Sequence, residues 1–276
     1  MTRQINPSLI FLLLLSIIVK QFGTTPGIVH AHGHLCYKPY WEPIQNSFFG
    51  SRIQKTVPAP ELSLVTCNNG HKDMGCFERS LAHIGLTANI LGSGVFPWIN
   101  GRDKPRLLAA FARQATTEYI LYADSRDAIL MLPPTTILER FRNHFACDLL
   151  FGGDRLSWPA SEQFRHYEDK LKGADQTEFK YLNGGCWIGK SKFVADFFSA
   201  ASACVPVAGA VDSEQGLLRQ LLPFYKEKIA IDYRCEIFLN IGFLFAPNVI
   251  SIQDNFSELP ITQKQKNSQN KSPFAM

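Results

Sequence analysis

Asp124 and Asp127 stand three apart in the stretch ILYADSRDAIL (120–130), between two apolar runs. Two carboxylates at that spacing on a turn can converge on one hard cation, Mn²⁺ or Mg²⁺, and such an ion bridges readily to substrate phosphates. The plain alternative is a polar turn in which Asp124 caps the bend and Asp127 faces water. The D-x-x-D spacing alone does not separate the two. Other stretches offer chemistry of the same ambiguous kind. YLNGGCWIGK (181–190) places Asn183 beside two glycines, a tight turn where backbone can approach a ligand, or an ordinary hairpin. VDSEQGLL (211–218) puts Asp212 and Glu214 at a helix start, where acids are favoured in any protein. AIDYRCEIF (230–238) carries Asp232 and Arg234 in apolar surroundings, where a structural ion pair is the default. Trp158, in RLSWPA (155–160), is either an aromatic platform or a core residue.

The elements around these residues follow an alternating pattern. LSLVTC, TANILG, TEYILYA and CDLLFGG read as strands, and TEYILYA, apolar throughout, suits the centre of a parallel sheet. CFERSLAHIGL, KPRLLAAFARQA, PPTTILERFRN, SKFVADFFSAASA and DSEQGLLRQLLPFY have helical periodicity. Pro105 is expected in a first helical turn and a Thr at the cap of the PPTTILERFRN helix. KYLNGGCWIGK reads as strand–turn–strand and KIAIDYRCEIFLN as one late strand. Strand and helix in alternation predict an α/β doubly wound sheet, whose ligands gather at the carboxyl ends of its strands. Asp124 and Asp127 fall at such an end.

The totals set bounds. A chain of 276 residues with 46% hydrophobic and 19% charged residues has material for one full core. Its formal charge of +4 is weak, and nothing in it calls for nucleic acid or an anionic membrane as partner. Residues 1–31 have the layout of a secretory leader: Arg3, the apolar run SLIFLLLLSIIV, then Val29 and Ala31 at −3 and −1. The run is short for a bilayer span, which leaves an uncleaved membrane anchor as the alternative. The expected organisation is a leader or anchor (1–31), a lead-in (32–60), the folded domain (61–258) and a disordered tail (259–276). A leader implies the lumen of the secretory pathway or secretion, where the sequons at Asn255 and Asn270 would matter. Among the seven cysteines, Cys67 with Cys76 and Cys186 with Cys235 are possible bridges.

Taken in order along the chain, the blocks LVTC, the Lys104 loop, YADSRDAI, LSWPA, YLNGGCWIG, DSEQ and DYRCEIF resemble the glycosyltransferase domain of procollagen lysyl hydroxylases. That family has an aspartate pair three apart, an L-N-S-G-G-F-I-G turn, an acidic D-D-D-Q block and a D-H-R-C-x-I-F strand. The resemblance implies a GT-A, Rossmann-like fold with a mixed, mostly parallel sheet flanked by helices. It implies Mn²⁺ (or Mg²⁺), a UDP-sugar donor and transfer of a hexose, glucose or galactose, to an acceptor hydroxyl on a protein or glycan. Carried over by residue, Asp124 and Asp127 match the metal pair, and Asp212 and Glu214 the catalytic acids. Thr66, Tyr122 and Lys104 fall on the donor side, Lys104 near the diphosphate. Asn183 and Gly185 match the sugar-side turn, and Trp158 the pocket aromatic. Arg126 stands where the family commonly has an aromatic residue against the base, and could stack there in its place or pair with phosphate. The family draws a third metal ligand from a late histidine in H-G-N-G, yet the last histidine here is His166. Asp254, in NVISIQDNF, is the residue placed to substitute. No part of the chain corresponds to a hydroxylase domain. Two other readings remain open at this point, a degenerate domain that binds a nucleotide sugar or glycan without turnover, and a metal-dependent phosphohydrolase.

Overall fold

The structure, a computed structural model, describes residues 15–33, 41–51, 56–242 and 250–254. In chain order the elements are β1 (Leu15–Val19), β2 (Ile28–His30), α1 (Trp41–Gly50), β3 (Leu62–Cys67), α2 (Cys76–His83), β4 (Asn89–Leu91), α3 (Asn100–Gln114), β5 (Tyr119–Ala123), β6 (Ala128–Leu130) and α4 (Pro134–His144). The second half contains β7 (Leu149–Asp154), α5 (Glu162–Glu168), β8 (Tyr181–Lys190), α6 (Ser191–Ser202), α7 (Glu214–Leu221), β9 (Ile229–Asp232), β10 (Phe238–Asn240) and β11 (Ile250–Asp254).

The main sheet runs β4-β3-β5-β8-β7-β9. Its neighbours are parallel except for β8, which lies antiparallel between β5 and β7. This is the mixed, mostly parallel α/β sheet of a GT-A, Rossmann-like fold. Every residue of β5 is buried, and the two-residue period of a strand decides where each goes. Tyr119, Leu121 and Ala123 face the layer of α2 and α4, with Phe77, Leu81, Ile137 and Phe141. Ile120 and Tyr122 face the opposite layer of α3, α6 and α7, with Leu108, Phe197, Phe198 and Leu218. An apolar run without polar alternation is what a strand covered on both faces requires.

A second sheet, β10-β2-β6, takes in β6, the strand that follows β5 after the turn Asp124–Asp127. Ile28, Leu130 and Phe238 join the first core, while Val29, Ile129 and Leu239 turn to a third cluster with Trp41, Ile44 and Phe48 of α1. β1 and β11 form a separate antiparallel pair.

Several expectations change here. Within the span expected as a leader or anchor, the described residues include β1 and β2, and Ile17, Val19, Ile28 and Val29 are buried in core clusters. Among the described residues no helix is long and apolar enough to cross a membrane. Residues 32–60, read as an aperiodic lead-in, contain α1, whose buried Trp41, Ile44 and Phe48 make one apolar face. The tail 259–276 and both sequon asparagines lie outside the described residues.

α3 starts at Asn100, so Pro105 falls beyond its first turn, and α4 begins at Pro134 with Pro133 rather than a Thr at its cap. YLNGGCWIGK is one ten-residue strand with an irregularity opposite Phe151 and Gly152, not strand–turn–strand. KIAIDYRCEIFLN is two strands, because Asp232 accepts the backbone N–H groups of Glu236, Ile237 and Phe238 and closes a turn between them. Arg234 is therefore not its partner; it is exposed and lies 3.6 Å from Glu236. The described cysteines, Cys67, Cys76, Cys186 and Cys235 among them, are free thiols, and the Cys76 thiol donates to Gln45 at 2.9 Å.

Candidate active site

The turn Asp124–Asp127 links the end of β5 to β6 and is gripped from one side by the start of α2. The Phe77 N–H donates to the Ser125 carbonyl at 2.9 Å. Gly75 packs so closely that a Cβ there would lie 2.1 Å from the same oxygen. The Ser125 hydroxyl donates to the buried Glu78, whose Oε1 also accepts from the Asn68 amide at 2.9 Å. Asp124 is then aimed by two donors on its Oδ1, Lys104 Nζ at 2.8 Å and the Tyr122 hydroxyl at 2.7 Å. The Tyr122 ring is itself fixed by stacking on Trp187, centroids 5.3 Å apart. Lys104 is buried and donates in addition to Glu214 Oε1 at 2.6 Å. Burial disfavours its ammonium, but the Asp124 and Glu214 carboxylates outweigh that and hold its pKa above the ordinary lysine value.

His30, at the end of β2, faces this turn. Its Nε2 lies 3.6 Å from Asp124 Oδ2 and 3.5 Å from Asp127 Oδ1, and ligand atoms of the three residues all lie within 4.8 Å of one another. On the far side of the ring, Nδ1 meets Asn240 Oδ1 at 2.7 Å. The Asn240 amide nitrogen donates to the Gly153 carbonyl, which fixes its oxygen toward the histidine, so Nδ1 carries the proton. That leaves the Nε2 of a buried imidazole without a hydrogen-bond partner, pointed at two carboxylates. Burial works against the imidazolium, yet Asp127 and Asp124 raise the His30 pKa above its usual value. A field that favours a proton at Nε2 also favours a metal cation there. A histidine oriented through its other nitrogen, with two carboxylates opposite, is a fitting donor set for a divalent ion. Gly185 makes the seat, since a Cβ on it would lie 2.2 Å from His30 Cε1 and 2.8 Å from Asp124 Oδ2.

The group opens onto two adjoining lobes. One, about 590 Å³, is lined by His30, His32, Asp154, Trp158, Asn183 and Asp212 among others. The second lies beside Asn68, His71, Lys72, Trp98 and Tyr122. Asp124, Arg126, Asp127, Asn100 and Asp212 border both. Asp212 is exposed, its Oδ1 3.4 Å from the Gly101 N–H in the first turn of α3. Glu214 is buried, with Lys104 on one oxygen and the Asn100 amide on the other. Trp158 is 54% exposed at the rim, with its carbonyl accepting from Gln215. Asn183 donates to Asp154 at 2.9 Å and accepts the Gly185 N–H. Asp154 also lies 2.9 Å from His32 Nε2; burial pushes its pKa up, but His32 and the surrounding donors bring it below the usual carboxylate range.

Most residues singled out from the sequence thus surround one cavity, and Thr66 and Lys104 line neither of its lobes. Thr66 is buried, and its hydroxyl donates to the Ala123 carbonyl at 2.7 Å, tying β3 to β5 rather than facing a ligand. Lys104 lines neither lobe and bridges Asp124 and Glu214. Asn183 and Gly185 lie within β8 and line the larger lobe, and Gly185 makes room for His30. The third member of the group that could hold a metal ion is His30, from the segment read as a leader or anchor; the side chain of Asp254 lies outside what the structure describes. Sequence reasoning also missed His32, Asp154 and Asn100. The signal for the histidines was legible in the run H-A-H-G-H at 30–34, directly after an apolar pair.

A mixed, mostly parallel α/β sheet with an acid-lined cavity and a histidine–aspartate group that could hold a metal ion fits a glycosyltransferase domain of GT-A type. The family model for the PLOD GT domain matches residues 59–268, and the chain belongs to that family. The matched span begins after His30, so the imidazole reaches the aspartates from outside it. No curated protein matches the chain.

Proposed function

We propose that this glycosyltransferase moves a hexose from a UDP-sugar to an acceptor hydroxyl on a protein or glycan, with Mn²⁺, or Mg²⁺ in its place, held by His30, Asp124 and Asp127. The observation that carries the reading is the buried His30 Nε2, which lacks a hydrogen-bond partner and faces both carboxylates. A divalent ion there supplies charge neutralisation for a departing nucleoside diphosphate.

The chain's own residues divide the remaining work. Asp212 reaches both lobes with an exposed carboxylate and is placed to orient an acceptor hydroxyl and take up its proton. Glu214 is occupied by Lys104 and Asn100, so it positions its neighbours rather than exchanging a proton. Lys104 donates to Asp124 Oδ1 and holds that carboxylate in place. Trp158 offers an exposed aromatic face at the sugar side, suited to the apolar face of a pyranose.

The test is UDP release from a panel of UDP-sugars with Mn²⁺ or with EDTA. Wild-type release is expected only with metal, and Asp124→Ala/Asp127→Ala should lower it by about 10²-fold or more. Release that persists in EDTA or in the double variant would overturn the metal-dependent reading.

A further inference from the structure

Charge around the cavity is lopsided. Asp124, Asp127, Asp154, Asp212 and Glu214 all line its larger lobe. A divalent ion at His30 balances the first two, and Lys104 is already held between Asp124 and Glu214. The leaving group of the proposed reaction brings further negative charge into this setting, so it needs a cation that is still free to meet it.

Among the lysines and arginines that line the cavity, Arg126 is the one that borders both lobes. It sits between the two aspartates in sequence, and it lines both lobes, the second being the one bordered by Lys72 and His71. Its side chain is exposed, and among the described residues no hydrogen bond or ion pair engages its guanidinium, although acids surround it. Asp124 and Asp127, its nearest carboxylates in sequence, turn instead toward His30. A guanidinium presents paired donors that match two phosphate oxygens at once, which a single ammonium does not.

We infer that Arg126 binds the diphosphate of the donor and stabilises the charge that develops on it. The inference rests on the glycosyltransferase reading above. In the step concerned, the bond from the anomeric carbon to the β-phosphate oxygen breaks and its electron pair stays on that oxygen. The acceptor oxygen forms the new bond to the anomeric carbon, and its proton passes to Asp212. Arg126 changes neither bonding nor protonation; it offsets charge on the departing oxygen.

The experiment titrates the full chain with UDP, UMP and uridine in the presence of Mn²⁺, for wild type, Arg126→Gln and Arg126→Lys. Arg126→Gln should weaken UDP by about 10- to 100-fold, UMP by less, and uridine not at all, with Mn²⁺ binding alone unchanged. Arg126→Lys, which retains charge but not the paired donors, should recover part of the loss. Equal weakening of all three ligands would overturn the inference, because it would mean that the flat guanidinium stacks on the base. Unchanged UDP affinity in Arg126→Gln would overturn it outright. A wild type that binds Mn²⁺ but none of the three ligands would instead overturn the donor reading, and the role of Arg126 with it.

Discussion

The two arms that meet at the candidate metal group are built differently. The aspartate arm lies inside the span shared with the PLOD GT domain family and is held from several sides at once: Gly75 and Phe77 on its backbone, Glu78 on Ser125, Lys104 and Tyr122 on Asp124. The histidine arm is a three-residue strand from outside that span, seated between β10 and β6 and oriented by Asn240. The first arm carries its geometry locally. The second acquires its geometry only when the chain's beginning closes onto strands that lie about a hundred and two hundred residues further on, as the Ala128 and Asn240 pairings of His30 require. Metal affinity should therefore be most sensitive where the histidine arm attaches, and fold stability where buried charge sits beneath the aspartate arm.

The strongest way to break the comparison is to delete residues 1–33. Ile17, Val19, Ile28 and Val29 are each buried, and such side chains contribute about 1.5–3 kcal/mol apiece. Against a total stability of about 5–15 kcal/mol, the shortened chain is expected to lose cooperative unfolding by circular dichroism along with its Mn²⁺ binding. A truncated protein that melts like wild type would refute the structural role of the arm. Lys104→Met is next in size. It leaves buried Glu214 and partly exposed Asp124 without their shared cation, a loss of about 2–3 kcal/mol by urea titration, reduced from the fully buried case by solvent at Asp124. A change below about 1 kcal/mol, the scale of exposed pairs, would mean that water reaches these groups.

Gly185→Ala sharpens the comparison at the junction. The added methyl would occupy the place of His30 Cε1, so either the imidazole or the strand has to shift. Mn²⁺ affinity by calorimetry should fall about 10- to 100-fold, the range typical of disturbed metal-ligand orientation, while most of the folding stability remains. Unaltered affinity would show that His30 does not act from this position.

What the sequence disclosed follows the same division. The central strand, the helices on both faces and the aspartate turn were legible because each depends on residues close in sequence: an apolar run, a helical period, two acids three apart. The single strand at 181–190 was not, because two adjacent glycines favour a turn locally and only pairing with β5 and β7 on both edges overrides that preference. Lys104 was recognisable as a functional lysine, but its burial between two acids is a tertiary fact. His30 was obscured by the apolar run before it, which has the composition of a leader and, in its last residues, the structure of a strand. The run H-A-H-G-H was visible, and only the β2–β10 and β2–β6 pairings give it a direction.

The smallest expected effect concerns a second attachment of the histidine arm, the contact of His32 with Asp154 on β7. Ionised Asp154 has a pKa below the ordinary range, because His32 and its hydrogen-bond donors outweigh the cost of burial. A lowered carboxylate pKa contributes stability that is present above the unfolded value near 3.9 and is lost as pH falls through the folded value. Asp154→Asn removes this contribution and sets an amide against the Asn183 and Leu156 donors that Asp154 accepts. The variant should be less stable than wild type by about 1–3 kcal/mol at pH 7, and the gap should narrow as pH drops below about 4. Urea midpoints from pH 7 down to pH 3 measure both curves. A gap that stays constant over that window would mean that Asp154 holds the arm by shape alone, and the histidine arm would then depend on its strand pairings and Asn240 for its attachment.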